Sequence, residues 1–379
     1  MRNLLVLCIL LAVGLQLSSC GGGPRDNSGQ EGDVRGRSSV PIDHAKGFEV
    51  VDSGACRLVT IRDPQDARSK AYRYALVPRG DSSYQAPEGV QVIRTPVERV
   101  VCMTTLQMAN FLKLGATDRI VGMASTRFLF SPEMRAQLEQ KSTRRIGIEG
   151  NFDAEQILAL KPDLILVSPF KRGGYESLKH LGIPLVTYLG YKESSPLGQA
   201  EWVKFIGLLL GQEVQACALF DSIARRYADL VSLAKQAESR PTVMSGELHG
   251  GNWYVVGGKN FLANQIRDAG GDYFIHNDST GGYYMDFESV YALGAQVDYW
   301  RILNSYDGEY SYQVLGATDA RYRDFQAFKS RRVIYCNLKQ RPFYEFAPTE
   351  PDVVLADLIK ALHPELLPEY APVYYQLLP

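Results

Sequence analysis

Two short runs share one pattern, D-x-E-x-[I/V]-x-A-L: Asp153 to Leu160, with Glu155 and Ile157, and Asp286 to Leu293, with Glu288 and Val290. The aspartate is placed to cap a helix N-terminus, and the glutamate sits in the first turn, at the positive end of the helix dipole. With Ile157 and Leu160, or Val290 and Leu293, turned to a sheet, Glu155 and Glu288 are each presented outward. D-x-E starts are common on unrelated helices. Here, however, each copy precedes an apolar strand-like run, one in each half of the chain, which implies two equivalent surfaces bearing one glutamate apiece. Catalytic patterns are missing. The five histidines form no H-x-x-x-H or H-E-x-x-H, and neither G-x-S-x-G nor C-x-x-C occurs. A hydrolase or chelatase needs a nucleophile–base pair or a metal cluster. No acidic partner is assigned to His249, and His249-Gly-Gly-Asn252 reads as a turn. The residues favour binding without chemistry.

The elements that must position those glutamates come from a chain of 379 residues, 45% hydrophobic, with a formal net charge of −1. That length predicts two domains, and the near-zero charge argues against a nucleic-acid partner. Arg2 followed by the apolar run Leu4–Leu17 and by Leu17-Ser-Ser-Cys20 has the anatomy of a secretory signal. Residues 1–19 are expected to be removed, and residues 20–47 to form a flexible tether rich in Gly, Ser and charge. Cys56, Cys102, Cys217 and Cys336 lie far apart. The exported compartment permits a disulfide, but Cys102 and Cys336 fall in apolar runs and read as small buried hydrophobes.

From Phe48 to Val77 apolar and polar residues alternate, which predicts a β-rich preface. Beyond Arg99 short apolar strands alternate with helical segments: Arg99–Met103, Leu106–Leu114, Ile120–Ala124, Asp163–Ser168 and Pro184–Tyr188. Pro196 to about Ala237 is apolar at helical spacing, with Gly211 as the point for a kink or break. Thr242–Ser245, Trp253–Val256, a helix at Leu262–Ala269, Val297–Leu303, Val333–Cys336 and a closing helix at Asp352–Leu362 make a second α/β region. The expected fold is α/β, with two Rossmann-like lobes on mainly parallel sheets joined by one long rigid helix, plus the β-rich extension. Residues 48–195 form the first lobe, 196–238 the link and 239–379 the second lobe.

The run Arg99-Val-Val-Cys-Met-Thr-Thr-Leu-Gln-Met-Ala-Asn-Phe-Leu-Lys-Leu-Gly-Ala-Thr-Asp-Arg-Ile-Val-Gly122 resembles the substrate-binding proteins of ABC importers for iron–siderophore complexes, haem and cobalamin. So do Glu155–Leu166, Leu181–Val186 and Gly246–Tyr273, and the likeness covers residues 95–340. Leu-Ser-Ser-Cys20 resembles the bacterial lipobox, which implies lipidation of Cys20 and an anchor on the periplasmic side of a membrane. The resemblance implies a class III periplasmic binding protein, a monomer and not an enzyme, without an intrinsic cofactor. Its cargo is held between the lobes, and Glu155 and Glu288 dock on arginines of a permease dimer that carries its ATPase subunits. The ligand candidates in the first lobe are Thr105, Thr126, Arg127, Phe128, Asn151, Lys171 and Arg172. Those in the second lobe are Trp253, Tyr254, Tyr283, Tyr284 and Arg301. Aromatic faces with arginine suit a large anionic chelate, so a ferric siderophore ranks ahead of cobalamin and haem. Haem is weakened by the lack of tyrosine in Ser125–Phe128. No metal site of the protein's own is expected.

Overall fold

The computed structural model describes residues 39–126, 129–148, 150–169 and 175–379. The signal segment, Cys20, Arg127, Phe128, Lys171 and Arg172 lie outside the described residues. The first lobe is built on five parallel strands in the order Leu185–Thr187, Leu164–Val167, Val100–Cys102, Ile120–Met123 and Arg144–Arg145. The inner three are continuous apolar runs because both sheet faces are covered, and every residue in them is buried. The helix Thr105–Lys113 begins at a capping box between Thr104 and Gln107 and buries Met108, Ala109 and Phe111. It stops before Gly115, whose φ of +64° suits glycine.

The second lobe repeats the plan. Asp272–Tyr273, Thr242–Ser245, Tyr299–Asn304 and Val333–Asn337 are parallel neighbours, and Gln376–Leu377 closes the edge antiparallel. The strand Asn252–Val256 pairs antiparallel with Leu248–His249 and Gly282–Met285 in a small separate sheet. Each lobe has its own core, around Phe111, Trp202 and Phe205 in the first and Trp253, Trp300 and Phe325 in the second. The four free cysteines among the described residues confirm the packing role of Cys102 and Cys336, which are fully buried. Burial pushes the Cys336 thiol up to about 12.

The expected single linking helix is two helices, Pro196–Leu210 and Glu213–Ala234. Gly211 ends the first in the left-handed region, at φ +69°, and Gly207 lies against Ala216 where the two pack. The first helix is buried in the first lobe. The second does the linking: Phe220 and Ile223 belong to the first core, Tyr227 and Ala234 to the second. Its 22 residues span about 33 Å at 1.5 Å each.

The preface is a four-stranded sheet of Phe48–Ser53, Cys56–Ile61, Tyr72–Pro78 and Val90–Thr95. Its inward residues, among them Phe48, Val59, Ile61 and Tyr74, join the first-lobe core. Residues 39–47, assigned to the tether from sequence, are instead locked down. Glu201 accepts the N–H groups of Asp43, His44 and Ala45 at 3.1, 2.7 and 2.7 Å, and pairs with the buried ammonium of Lys204 at 2.8 Å. Glu193 accepts from Lys46, Gly47 and the Trp202 indole. At the other end the helix Pro351–Leu362 supplies Asp357, whose carboxylate takes the N–H groups of Val373, Tyr374 and Tyr375. That anchor fixes the C-terminal tail beside Arg301.

Candidate functional site

Arg301 stands in the middle of the central strand Tyr299–Asn304 and borders two adjoining cavities. The first, about 230 Å³, opens between the lobes. Leu106, Tyr191 and Gln199 come from the first lobe and its attached helix, and Phe261, Leu262 and Phe343 from the other side. The second, about 260 Å³, is walled by Ser245, Glu247, His249, Tyr254 and Tyr273. Leu262, Arg301 and Tyr344 face both. The guanidinium donates to Ser245 Oγ at 3.1 Å and to the Tyr375 hydroxyl, and lies over the Tyr375 ring at 4.9 Å. Its buried Nε has no hydrogen-bond partner. An arginine with an unused donor beside a cavity is equipped to take an anionic group. Burial pushes the Tyr344 hydroxyl above its ordinary range, against the opposing pull of Arg301, so the phenol stays neutral and able to donate.

Gly246 shapes this wall. Its φ is +97°, and a Cβ there would meet Trp253 Nε1 and Tyr254 O at 2.6 Å. Glycine is therefore required for the turn that follows Thr242–Ser245. Among the described residues no cluster of His, Cys, Asp and Glu is suited to holding a metal ion. The two cavities present hydrogen-bonding groups, charge and ring faces.

The repeated motif forms the two capped helices it implies. Asp153 accepts from Gln156 N at 2.9 Å, Asp286 from Ser289 N at 2.7 Å, and both glutamates are exposed. Hydrogen bonds to Ser289 hold the Asp286 carboxyl below its ordinary value. Ile157 and Val290 are fully buried, but Leu293 is 53% exposed and does not face the sheet. Each helix feeds a parallel strand, Leu164–Val167 or Tyr299–Asn304. Its N-terminus therefore lies towards the carboxyl ends of that lobe's strands. Glu155 has no ion-pair partner among the described residues, whereas Glu288 lies 3.6 Å from Arg321. Arg321 is itself held by Asp319 at 2.8 Å and lies over the Phe287 ring.

Residues 100–339 match the model of a family described as periplasmic binding protein. The chain belongs to the periplasmic binding protein family. This family supplies the solute-binding, non-enzymatic component of ABC importers. An uncharacterized lipoprotein of Methanocaldococcus jannaschii is 22% identical over 314 residues, covering 79% of this chain and 78% of the relative. A periplasmic binding protein from Veillonella parvula has the same fold, with a TM-score of 0.60 and 15% identity over 82% of this chain and 99% of that one. A periplasmic heme binding protein from Pseudomonas aeruginosa matches with a TM-score of 0.57 and 21% identity, over 73% and 96% of the two chains.

In this periplasmic binding protein the eight ligand candidates that fall among the described residues separate into distinct groups. Arg301 and Tyr254 border the cleft, as does Tyr344, and Tyr254 stacks edge-on against exposed Tyr284 at 5.5 Å. Trp253 does not line it. The side chain is fully buried among Trp300, Tyr322 and Phe325, with its indole donating to Ser245 O at 2.9 Å. Thr105 is buried at the start of its helix, and Tyr283 packs on the second core with its hydroxyl accepting from Asn277. Asn151 is exposed on the short hairpin before Asp153. Thr126 borders a separate open basin, about 710 Å³, beside Arg135, Arg144 and Arg145. Sequence reasoning passed over Ser245 and Glu247, although one ends and the other closely follows the expected strand Thr242–Ser245, where loops of such sheets meet ligands. It also left His249 without Glu247, whose Oε1 lies 3.9 Å from His249 Nε2.

Proposed function

We propose that this periplasmic binding protein captures an iron–siderophore-type chelate in the cleft at Arg301 and delivers it to an importer permease dimer. In this reading Cys20 carries the lipid anchor, and Glu155 and Glu288 meet arginines of the permease. The observation that carries the ligand assignment is the buried, unpartnered Nε of Arg301 between two cavities. Such a donor suits an anionic chelate, and the apolar walls from Leu106, Phe261 and Phe343 suit its organic scaffold. Both glutamates being exposed at helix N-termini supports the docking role. Exposed ion pairs contribute roughly 0.2–1 kcal/mol each, so they would orient a partner that must then leave.

Haem is the second reading. Its support is tyrosine in the cleft, Tyr254, Tyr273 and Tyr344, all from the second-lobe side. The test is the absorption spectrum and mass of ligand released from protein purified from its native host. A ferric charge-transfer band is expected. A Soret band would assign haem and a corrinoid spectrum cobalamin, and either would overturn the siderophore reading.

A further inference from the structure

Glu247 shares the second cavity with Arg301, yet the two charges do not pair with each other. Glu247 is only 9% exposed. Its Oε2 accepts one hydrogen bond, from Asn304 Nδ2 at 3.2 Å. Its Oε1 lies 3.9 Å from Nε2 of the exposed His249, and no Lys or Arg among the described residues pairs with it. Tyr310, Tyr322 and Tyr335 lie close enough for its charge to be felt, each driven upward by it as well as by burial. Glu247 follows the turn at Gly246, where Trp253 and Tyr254 close on the glycine. A carboxylate removed from water with spare lone pairs, beside aromatic rings, has the makings of an ammonium receptor. Arg301, with its own unused donor, offers the opposite charge across the same space.

We propose that Glu247 and Arg301 make the cleft a two-charge receptor, selecting chelates that carry both an anionic group and a protonated amine. This rests on the chelate reading above and adds to it: the arginine takes the anionic part, and Glu247 discriminates among chelates by a peripheral cation. A chelate bearing only negative groups would leave the carboxylate buried against like charge. One whose amine is acylated would leave it unpaired.

The test uses two ferric trihydroxamates identical in iron-binding scaffold and in one carboxylate. One carries a free primary amine and the other the same amine acetylated. Binding to the full-length protein in detergent is followed by quenching of tryptophan fluorescence at neutral pH. The free-amine chelate is expected to bind at least tenfold more tightly. In Glu247→Gln, which keeps an acceptor for Asn304, the two chelates are expected to bind within about twofold of each other. Equal affinity of the native protein for both would overturn the proposal while leaving the chelate reading intact, as would discrimination that persists in Glu247→Gln. If neither chelate bound, the chelate reading itself would fall, and this inference with it.

Discussion

Replacing Arg301 by alanine removes the group on which the ligand assignment turns. In the unliganded protein the change deletes a bond to Ser245 Oγ, a bond to Tyr375 and a ring contact at 4.9 Å. The Tyr375 backbone remains held by Asp357 at 2.9 Å, so the tail keeps its place. The ligand loses a charge-assisted bond, worth roughly 1.5–3 kcal/mol, which is a factor of about 10 to 150 in dissociation constant. Arg301→Lys keeps the charge but not the planar fork, so its loss should fall between those of the native protein and the alanine variant. The assay is fluorescence titration with the carboxylate-bearing ferric trihydroxamate. Trp300, buried behind the strand, is coupled to the cavity through Gly246, whose carbonyl accepts from its indole at 2.7 Å. Thermal unfolding of each variant checks the fold. Affinity within threefold of native in a normally stable Arg301→Ala would refute the assignment.

Two further predictions concern the framework. Glu201→Ala leaves the Lys204 ammonium, whose side chain is 1% exposed, without its carboxylate, held only by Pro41 O and the Phe220 ring, and frees three backbone N–H groups. Removing one member of a buried pair costs about 3–5 kcal/mol, read as a lower urea midpoint, together with new protease cleavage around residues 41–47; a loss below about 1 kcal/mol would show that this latch is unimportant. Burial raises the carboxyls of Glu193, Glu247, Glu345, Asp268 and Asp357. Above the ordinary glutamate value of 4.5 the folded state therefore holds more protons than the unfolded chain. Stability contributed by these groups must fall as pH rises through that window. Glu201 works the other way: burial opposes its charge, but Lys204 and the three N–H groups outweigh it, so its share is lost as pH falls. Urea midpoints measured as pH rises above 4.5 should decline, and less steeply in Glu247→Gln; an unchanged slope in that variant would contradict the account.

The strands and most helices were legible because their causes are local. Val100–Cys102, Leu164–Val167 and Val333–Cys336 announce buried parallel strands by unbroken apolar runs, and Gly115 and Gly211 mark real helix ends. The break at Gly211 also decides which helix links the lobes, and that depends on Gly207 packing against Ala216, which sequence spacing does not reveal. The cleft was half legible. Arg301 and Tyr254 were found by residue type, but pairing Trp253 with Tyr254 ignored strand alternation, since neighbours on one strand face opposite sides. Ser245 and Glu247 were recoverable from their place at the end of Thr242–Ser245. Leu106, Gln199 and Phe343 were not, because they meet only when three distant segments fold against one another.

Whether the twin glutamates address a membrane partner is tested most directly by Glu155→Ala combined with Glu288→Ala. Cells of the native host that express only this variant should lose uptake of radiolabelled iron chelate, while the purified variant binds that chelate with native affinity. Uptake at the native rate, or affinity lost along with transport, would contradict the account.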